Sequence, residues 1–201
     1  MDAKQRAEVR CAEPDAVLIE RLAGGDLEAL GDLYERHGPR VRAALAGMAV
    51  DIDFAEREEL LQEVFLAVAT AASSFRGESR FTTWLHGLTI RKARAHRRGK
   101  WTRRRIRERH GAECAGVSHP RDVSPERSVA SREAVLAALV RLSAEQREIV
   151  WLHAVEEMTA AEIGAVLDIS PRTVWTRLHR ARKLLLGGAA EETGGDSDPG
   201  R

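Results

Sequence analysis

The chain has 201 residues, enough for one domain or two small ones. Aromatic residues make up only 4% of it, and alanine, leucine, arginine and glutamate, which favour helix, dominate. Valine and isoleucine do not alternate with polar residues as a half-buried strand requires, so the composition excludes a β-rich fold and predicts an all-α one.

The net charge of +1 conceals a separation of the two signs along the chain. Residues 76–109 carry thirteen lysines and arginines against two glutamates, whereas residues 51–63 and 191–198 are mostly acidic. A protein that only needs solubility mixes its charges. The basic block therefore predicts a polyanionic partner, and the acidic stretch predicts a second partner of different charge.

Cysteine content and hydropathy indicate the compartment. Cys11 and Cys114 are too few for a disulfide framework, which favours a reducing environment. The N-terminus lacks the apolar core of a signal peptide, and no apolar run approaches the roughly 18–20 residues of a membrane span. We therefore expect a cytoplasmic protein without membrane insertion.

The N-terminal half begins with a predicted disordered segment, residues 1–14, followed by a short helix over residues 15–23 that Gly24-Gly25 stops. Asp26 is predicted to cap a longer helix, which Gly38-Pro39 could kink. The apolar stripe of this helix is Leu27, Leu30, Leu33 with Tyr34, Val41, Leu45 and Met48.

A third and a fourth helix follow. Asp53 to Glu56 has the pattern of a capping box and opens a helix with Leu61 and Phe65 on its inner face. After a break at residues 75–80, a basic helix is predicted from Thr82 to about Trp101.

Apolar periodicity disappears over residues 105–128, where glycine and proline occur, and this predicts a flexible linker. A second helical domain is predicted over residues 129–186, with capping-box patterns at 143–146 and 159–162. Residues 187–201 are predicted to form a disordered acidic tail.

The strongest local signal is a helix-turn-helix. A short helix from Thr159 to Leu167 stops at Asp168, and Ser170-Pro171 starts a second helix three or four residues later. The small Gly164 lets the two backbones approach. The inner face of the second helix is Val174, Leu178, Ala181 and Leu185. Such a unit places its second helix in the DNA major groove.

The outer face of that second helix has no acidic residue. It consists of Arg172, Thr173, Trp175, Thr176, Arg177, His179, Arg180, Arg182 and Lys183. The alternative is an ordinary helix with a solvated basic face, but such faces usually include glutamate as an ion-pair partner. Cations and hydroxyls suit phosphates and base edges, so DNA binding is the better interpretation.

These residues carry a resemblance to a known family. Residues 162–167 (EIGAVL) and 173–182 (TVWTRLHRAR) resemble region 4 of bacterial sigma factors of the sigma-70 family, especially the extracytoplasmic-function (ECF) group. Upstream, the matching segments are 24–30 (GGDLEAL) for the start of region 2, 59–66 (ELLQEVFL) for region 2.2 and 75–85 (FRGESRFTTWL) for region 2.3. The resemblance covers residues 15–186, apart from the linker.

The resemblance implies a function by binding, with no catalytic centre and no cofactor. The chain would recruit core RNA polymerase to promoters and read the −10 and −35 elements with separate domains. These would be a region 2 helical bundle at 15–104 and a region 4 helix-turn-helix at 129–186, joined by the linker 105–128. The resemblance also implies an anti-sigma factor that covers the polymerase-facing surfaces.

The family's site residues carry over by position. Glu59, Gln62 and Glu63 lie three or four apart on one helix face and would dock on the clamp of the largest polymerase subunit. A solvated acidic face is the alternative. In the helix-turn-helix, Thr176 and Arg180 would read −35 bases, while Arg172, Arg177 and Lys183 would contact phosphates.

The −10 element would meet the loop 75–81, which in the family captures a flipped base, and the basic helix behind it. The residues expected to contact DNA there are Arg76, Gly77, Arg80, Trp84, Lys92, Arg94, Arg97 and Arg98. Gly77 permits close backbone approach. Trp84 could stack on a base, but a single tryptophan at a helix start is more often part of the core.

Two positions depart from the family pattern. The family often has an Arg-Ile-Ala stretch with an asparagine shortly after it, whereas here Gly87-Leu88-Thr89 is followed by Arg91. In the second helix of the helix-turn-helix, Trp175 stands where lysine or arginine is usual. Trp175 could contact a thymine methyl or pack against a neighbouring sugar. Arg91 adds a charge and removes an amide reader, so the −10 preference of the family does not carry over to this chain by the resemblance alone.

Two other functions remain as alternatives. His110, Cys114 and His119 have spacings that a metal enzyme could use, but a fourth ligand is lacking nearby, so no metal is expected. A free-standing repressor or activator would bind duplex DNA without polymerase, usually as a dimer on a palindrome.

Overall fold

The computed structural model describes residues 13–109, 135 and 137–191. Every regular element in these ranges is a helix, which confirms the all-α prediction. The chain divides into two compact units, residues 1–120 and 121–201. No helix of the described part is long and apolar enough to cross a membrane.

The first unit contains α1 (Asp15–Ala23), α2 (Glu28–Met48), α3 (Phe54–Ala71), a 3-10 turn (Ala72–Ser74) and α4 (Phe81–Arg109). The turn between α1 and α2 contains Gly25, whose φ of +96° is a backbone conformation that glycine adopts without steric cost. The predicted capping box at the start of α3 is confirmed, because Glu56 N–H donates to Asp53 Oδ1 at 2.8 Å and Asp53 N–H donates back to Glu56 Oε2 at 3.4 Å.

The core of this unit lies where α1, α2, α3 and α4 meet. Its largest side chains that are almost fully buried are Leu18, Leu33, Leu45, Met48, Ile52, Leu60, Leu61, Leu85 and Ile90. Each such side chain stabilises the fold by roughly 1.5–3 kcal/mol relative to exposure. The inner positions predicted on α2 and α3 are therefore mostly confirmed.

Leu27 was predicted in the apolar stripe of α2, and that prediction is wrong. Its side chain is 71% exposed, because it precedes the first turn of α2. Asp26 does serve the helix start, since its Oδ1 accepts the Glu28 N–H at 3.0 Å. The helix continues through Pro39 to Met48.

Two helices extend further than predicted. α4 ends at Arg109, beyond Trp101 and into the predicted linker, and α7 (Pro171–Glu191) continues past residue 186 into the predicted tail. Extending an existing helix costs far less than nucleating one, and the extension of α4 is rich in helix-forming arginine. The extension of α7 passes two glycines before it reaches two alanines and a glutamate. The remaining predictions for the N-terminus, linker and tail fall on residues outside the described ranges.

The second unit contains α5 (Ala144–Ala154), α6 (Ala160–Leu167) and α7, preceded by helical residues 137–140. Both predicted capping boxes are present, Ser143 with Gln146 and Thr159 with Glu162. The guanidinium of Arg147 is buried and donates to the Leu142 carbonyl oxygen at 2.8 Å, which satisfies the end of the preceding helical segment. α7 packs on both α5 and α6, so these two helices position it.

Candidate nucleic-acid interfaces

The junction between α6 and α7 is as tight as predicted. α6 ends at Asp168, which has a left-handed φ of 56°, and the Ile169 N–H donates back to the Gly164 carbonyl oxygen at 3.0 Å. A Cβ on Gly164 would lie 2.6 Å from the Ile169 carbonyl oxygen. Only glycine therefore lets the turn fold back over α6, and this closure sets the direction of α7.

The start of α7 is fixed by local hydrogen bonds. Ser170 Oγ accepts the Thr173 N–H at 3.1 Å, and Pro171 occupies the first helical position. Val174 is fully buried and Leu178 is nearly so, as is Ala181 one turn further on. The predicted inner face of α7 is therefore confirmed from Val174 to Ala181, while Leu185 is half-buried.

Five of the predicted −35 residues share the exposed face of α7. They are Arg172, Thr176, His179, Arg180 and Lys183. Steps of three and four residues align them on one side of the helix. The arrangement offers three permanent cations, a hydroxyl and an imidazole on one solvent-facing surface, and this chemistry suits phosphates and base edges.

Two further predicted residues serve the fold of this unit. Thr173 is half-buried and bonded to Ser170 at the helix start. Arg177 is half-buried, and its guanidinium lies 2.8 Å from a carboxylate oxygen of Glu145 on α5. The outer face of α7 has no acidic residue of its own, but α5 supplies one to Arg177.

Trp175 is 56% exposed and contacts a residue that the sequence did not single out. The rings of Trp175 and His153 lie 5.9 Å apart between centroids at an interplanar angle of 72°. His153 belongs to α5, and its Nδ1 lies 3.2 Å from the Met158 carbonyl oxygen. Nothing local in the sequence pairs His153 with Trp175, because packing of α5 on α7 brings them together.

In the first unit, the loop before α4 presents its polar groups to solvent. Gly77 has a φ of +70° and open space around its Cβ position. The side chain of Arg76 is 83% exposed, with its nearest carboxylate, that of Glu78, 3.9 Å away. Arg80 is also exposed, and its carbonyl accepts the Trp84 N–H at 3.2 Å. The loop can therefore approach a nucleic-acid strand with both guanidiniums.

Trp84 packs on the core of the first unit. Its ring lies 5.2 Å from that of Phe75 and 5.8 Å from that of Phe81, measured between centroids. It is nevertheless half-buried, with part of its surface in contact with solvent. The geometry favours the core role and places the ring of Trp84 against Phe75, the first residue of the loop.

The basic side chains of α4 that the structure describes, up to Lys100, divide into two groups. Those of the first group face carboxylates of the same chain. Lys92 lies 3.7 Å from Glu63. Arg97 donates to Asp51 at 3.0 Å and to the Met48 carbonyl oxygen at 2.9 Å, and its side chain is only 17% exposed. These contacts favour a structural role for Arg97.

The same pattern continues along α4, where Lys100 contacts Glu56 at 2.8 Å. Glu58 is engaged by Arg42 of α2 at 2.8 Å. The acidic stretch 51–63, which the sequence assigned to a second partner, thus partly neutralises cations of its own chain. The second group on α4 comprises the exposed Arg91 and Arg98, whereas Arg94 is half-buried and has a partner within the chain.

The predicted docking residues Glu59, Gln62 and Glu63 are all exposed on α3. Leu66, which follows them on the same side of the helix, is 63% exposed. The face thus combines two carboxylates, an amide and an exposed aliphatic side chain.

The proposed metal ligands His110, Cys114 and His119 lie outside the described residues. Within the described part of the chain, no group of three histidine, cysteine, aspartate or glutamate side chains is placed to hold a metal ion.

Comparison with known families gives two matches. The family model Sigma-70 region 2 matches residues 33–103, and the model Sigma-70, region 4 matches residues 132–185. The chain is similar to RNA polymerase sigma factor CarQ of Myxococcus xanthus, with 34% identity over 171 residues that cover 83% of this chain and 92% of CarQ. It is also similar to the ECF RNA polymerase sigma-E factor of Escherichia coli K12, with 27% identity over 180 residues that cover 85% and 92% of the two chains.

Solved structures share the fold. CnrH in complex with the cytosolic domain of CnrY superposes with a TM-score of 0.63 at 24% identity and covers 90% of this chain and 100% of that one. The sigma factor RpoE of Bartonella quintana, crystallised with the anti-sigma factor NepR, gives a TM-score of 0.61 at 19% identity, covering 79% and 97%.

Proposed function

We propose that this chain, which belongs to the ECF group of the sigma-70 family of RNA polymerase sigma factors, reads the two promoter elements with its two helical units separately. The chain is an RNA polymerase sigma factor and acts in transcription initiation. Its own contribution is binding, and bond formation belongs to the polymerase core, so we assign it no catalytic centre.

The second unit would bind the −35 element through α7. The observation that carries this assignment is the exposed face of α7, which is cationic and free of acidic residues from Arg172 to Lys183. The closed turn at Gly164 holds this face away from α6. Thr176 and Arg180 would read base edges, and Arg172 and Lys183 would contact phosphates.

The first unit would bind the −10 element through the loop at Gly77 and the exposed face of α4. Arg76 and Arg80 would follow the phosphates of the unpaired strand, while the accessible part of Trp84 lies beside it. Arg91 and Arg98, with Arg94 beside them, continue this surface along α4. Lys92 would bind a DNA phosphate by exchanging its contact with Glu63 for that phosphate.

The face formed by Glu59, Gln62 and Glu63 would dock on the clamp of the largest polymerase subunit. The pairing of Lys92 with Glu63 supports a surface on which docking and DNA contacts adjoin. An anti-sigma factor is the proposed regulator, as in the solved complex of RpoE with NepR. The proposed domains are residues 15–104 and 129–186 with a linker at 105–128, and the proposed compartment is the cytoplasm.

The experiment that tests this function is transcription from a genomic promoter library by core RNA polymerase, with and without the full chain. We expect specific initiation only when both are present. A free-standing regulator would instead bind duplex DNA tightly by itself. If a folded chain fails to direct any specific initiation, the proposal is wrong.

A matched pair of variants separates base reading from phosphate contact. Arg180→Ala is expected to cost about 1–3 kcal/mol of discrimination and to relax sequence preference at one −35 position. Lys183→Ala is expected to weaken binding evenly across sequences and to lower the salt slope by about one. Both are measured by holoenzyme binding to −35 variants at several salt concentrations, and identical behaviour of the two variants would contradict the assigned roles.

A further inference from the structure

Trp175 is an exposed apolar residue on an otherwise polar face. It is 56% exposed, three residues after Arg172 and four before His179, so its indole continues the exposed face of α7. The indole has a single hydrogen-bond donor, Nε1–H, and the rest of its surface is apolar. The indole therefore indicates an apolar feature on the DNA that α7 meets.

His153 holds this indole in place. The two rings meet edge to face, with centroids 5.9 Å apart and planes at 72°, an arrangement that aromatic rings prefer. A carbonyl oxygen only accepts hydrogen bonds, so His153 Nδ1 donates to the Met158 carbonyl 3.2 Å away. Met158 is itself buried, and its N–H donates to the Leu152 carbonyl oxygen at 3.0 Å. The contact orders the indole before DNA arrives, which lowers the entropy cost of binding.

The major groove presents one apolar group on its base edges, the C5-methyl of thymine. Trp175 lies in the N-terminal part of α7, the part of a recognition helix that contacts base edges. The position of Trp175 in α7 thus favours a base methyl as the group that its indole meets.

We propose that Trp175 reads a thymine methyl in the −35 element and that His153 is the positioning residue that holds it there. The inference rests on the proposed −35 role of α7. It assigns specificity to a pair of residues on two helices, one of which, His153, need not touch DNA.

The test uses the full chain in holoenzyme with core RNA polymerase, on a promoter from which the wild-type holoenzyme initiates. Each −35 thymine is replaced singly by deoxyuridine, which removes only the methyl group, and affinities are compared by competition binding. At one position we expect the wild type to bind deoxyuridine DNA roughly three- to fivefold more weakly, the value of one buried methyl group. Trp175→Ala should bind both DNAs equally.

His153→Ala should lower the thymine-to-deoxyuridine ratio, and His153→Phe, which keeps a ring, should restore most of it. A merely structural role would weaken binding to both DNAs by the same factor. Leu184→Ala, which removes another exposed apolar side chain of α7, should keep the wild-type ratio.

Three results would overturn the inference. The first is a wild-type holoenzyme that binds thymine and deoxyuridine DNA equally at every −35 position. The second is a thymine-to-deoxyuridine affinity ratio that persists in Trp175→Ala, and the third is a ratio that is unchanged in His153→Ala. Packing against a sugar would produce the first of these, with Trp175→Ala weaker on both DNAs. Failure to initiate at any promoter is scored separately, because it concerns the proposed function itself.

Discussion

Replacing Gly164 by alanine tests whether the close approach of α6 and the following turn holds the helix-turn-helix together. The added Cβ would lie 2.6 Å from the Ile169 carbonyl oxygen, a backbone atom that cannot rotate away. Reaching an ordinary close carbon–oxygen contact of ~3.3 Å requires a shift of roughly 0.7 Å. The turn would have to open, although the Ile169 N–H and Gly164 carbonyl are hydrogen-bonded across it.

The expected magnitude follows from two opposing effects. Overpacking of a closed contact costs about 1–3 kcal/mol, while alanine in a helix interior gains up to about 1 kcal/mol over glycine. Because the obstructing atom is backbone, the cost is expected to win. Gly164→Ala should therefore lose about 1–2 kcal/mol of stability, and the reoriented α7 should weaken −35 binding.

The assay is urea unfolding, with hydrogen exchange as the probe. Because the exchange of each peptide is measured separately, the stabilities of the two units can be told apart. The control is Gly31→Ala, on α2 of the other unit, where nothing lies within 4 Å of the added Cβ. That variant should gain about 0.5–1 kcal/mol from helix propensity alone. Two results would contradict the expected clash at Gly164. One is an equal gain in unfolding free energy in Gly164→Ala and Gly31→Ala, and the other is faster hydrogen exchange of Gly164→Ala in the first unit only.

The remaining predictions concern the first unit. Burial raises the pKa of Asp15, but hydrogen bonds from His37 and Arg36 outweigh it and hold that pKa below its usual value. The stabilisation from the ionised Asp15 is present above its unfolded pKa of about 3.9 and is lost as the pH falls through its folded pKa. The difference in urea midpoint of unfolding between the wild type and Asp15→Asn should therefore shrink from pH 6 to pH 3. Arg97→Ala should destabilise by about 1–3 kcal/mol through loss of its hydrogen bonds to Asp51 and to the part-buried Met48 carbonyl oxygen. Arg98→Ala should weaken −10 DNA binding with little change in the urea midpoint of unfolding, and the opposite ranking would reject this division.

Local signals in the sequence predicted much of the fold. A capping box needs only residues three positions apart, so those at Asp53, Ser143 and Thr159 were predicted and all three are confirmed. The inner face of α7 was predicted from a spacing of three and four residues, and it is buried as expected up to Ala181. Helix ends were harder to predict, because α4 and α7 propagate past the point where apolar periodicity ends.

The candidate sites show the same limit. Charge separation correctly indicated a basic α4, but it treated Lys92, Arg97 and Arg98 as equivalent. The structure divides them by their partners, since Arg97 faces Asp51 from forty-six residues away in sequence while Arg98 faces solvent. A charge pattern records how many cations a segment has, and only packing decides which of them remain available.

The two helical units and the helix-turn-helix were determined by the sequence itself, because capping, helical periodicity and glycine at a tight turn act within a few residues. The tertiary structure alone decided three things that depend on contacts between helices. It set part of the acidic stretch against cations of α4, paired Arg177 with Glu145, and set His153 against Trp175. Such pairings depend on the distance between side chains in space, which a linear sequence does not record.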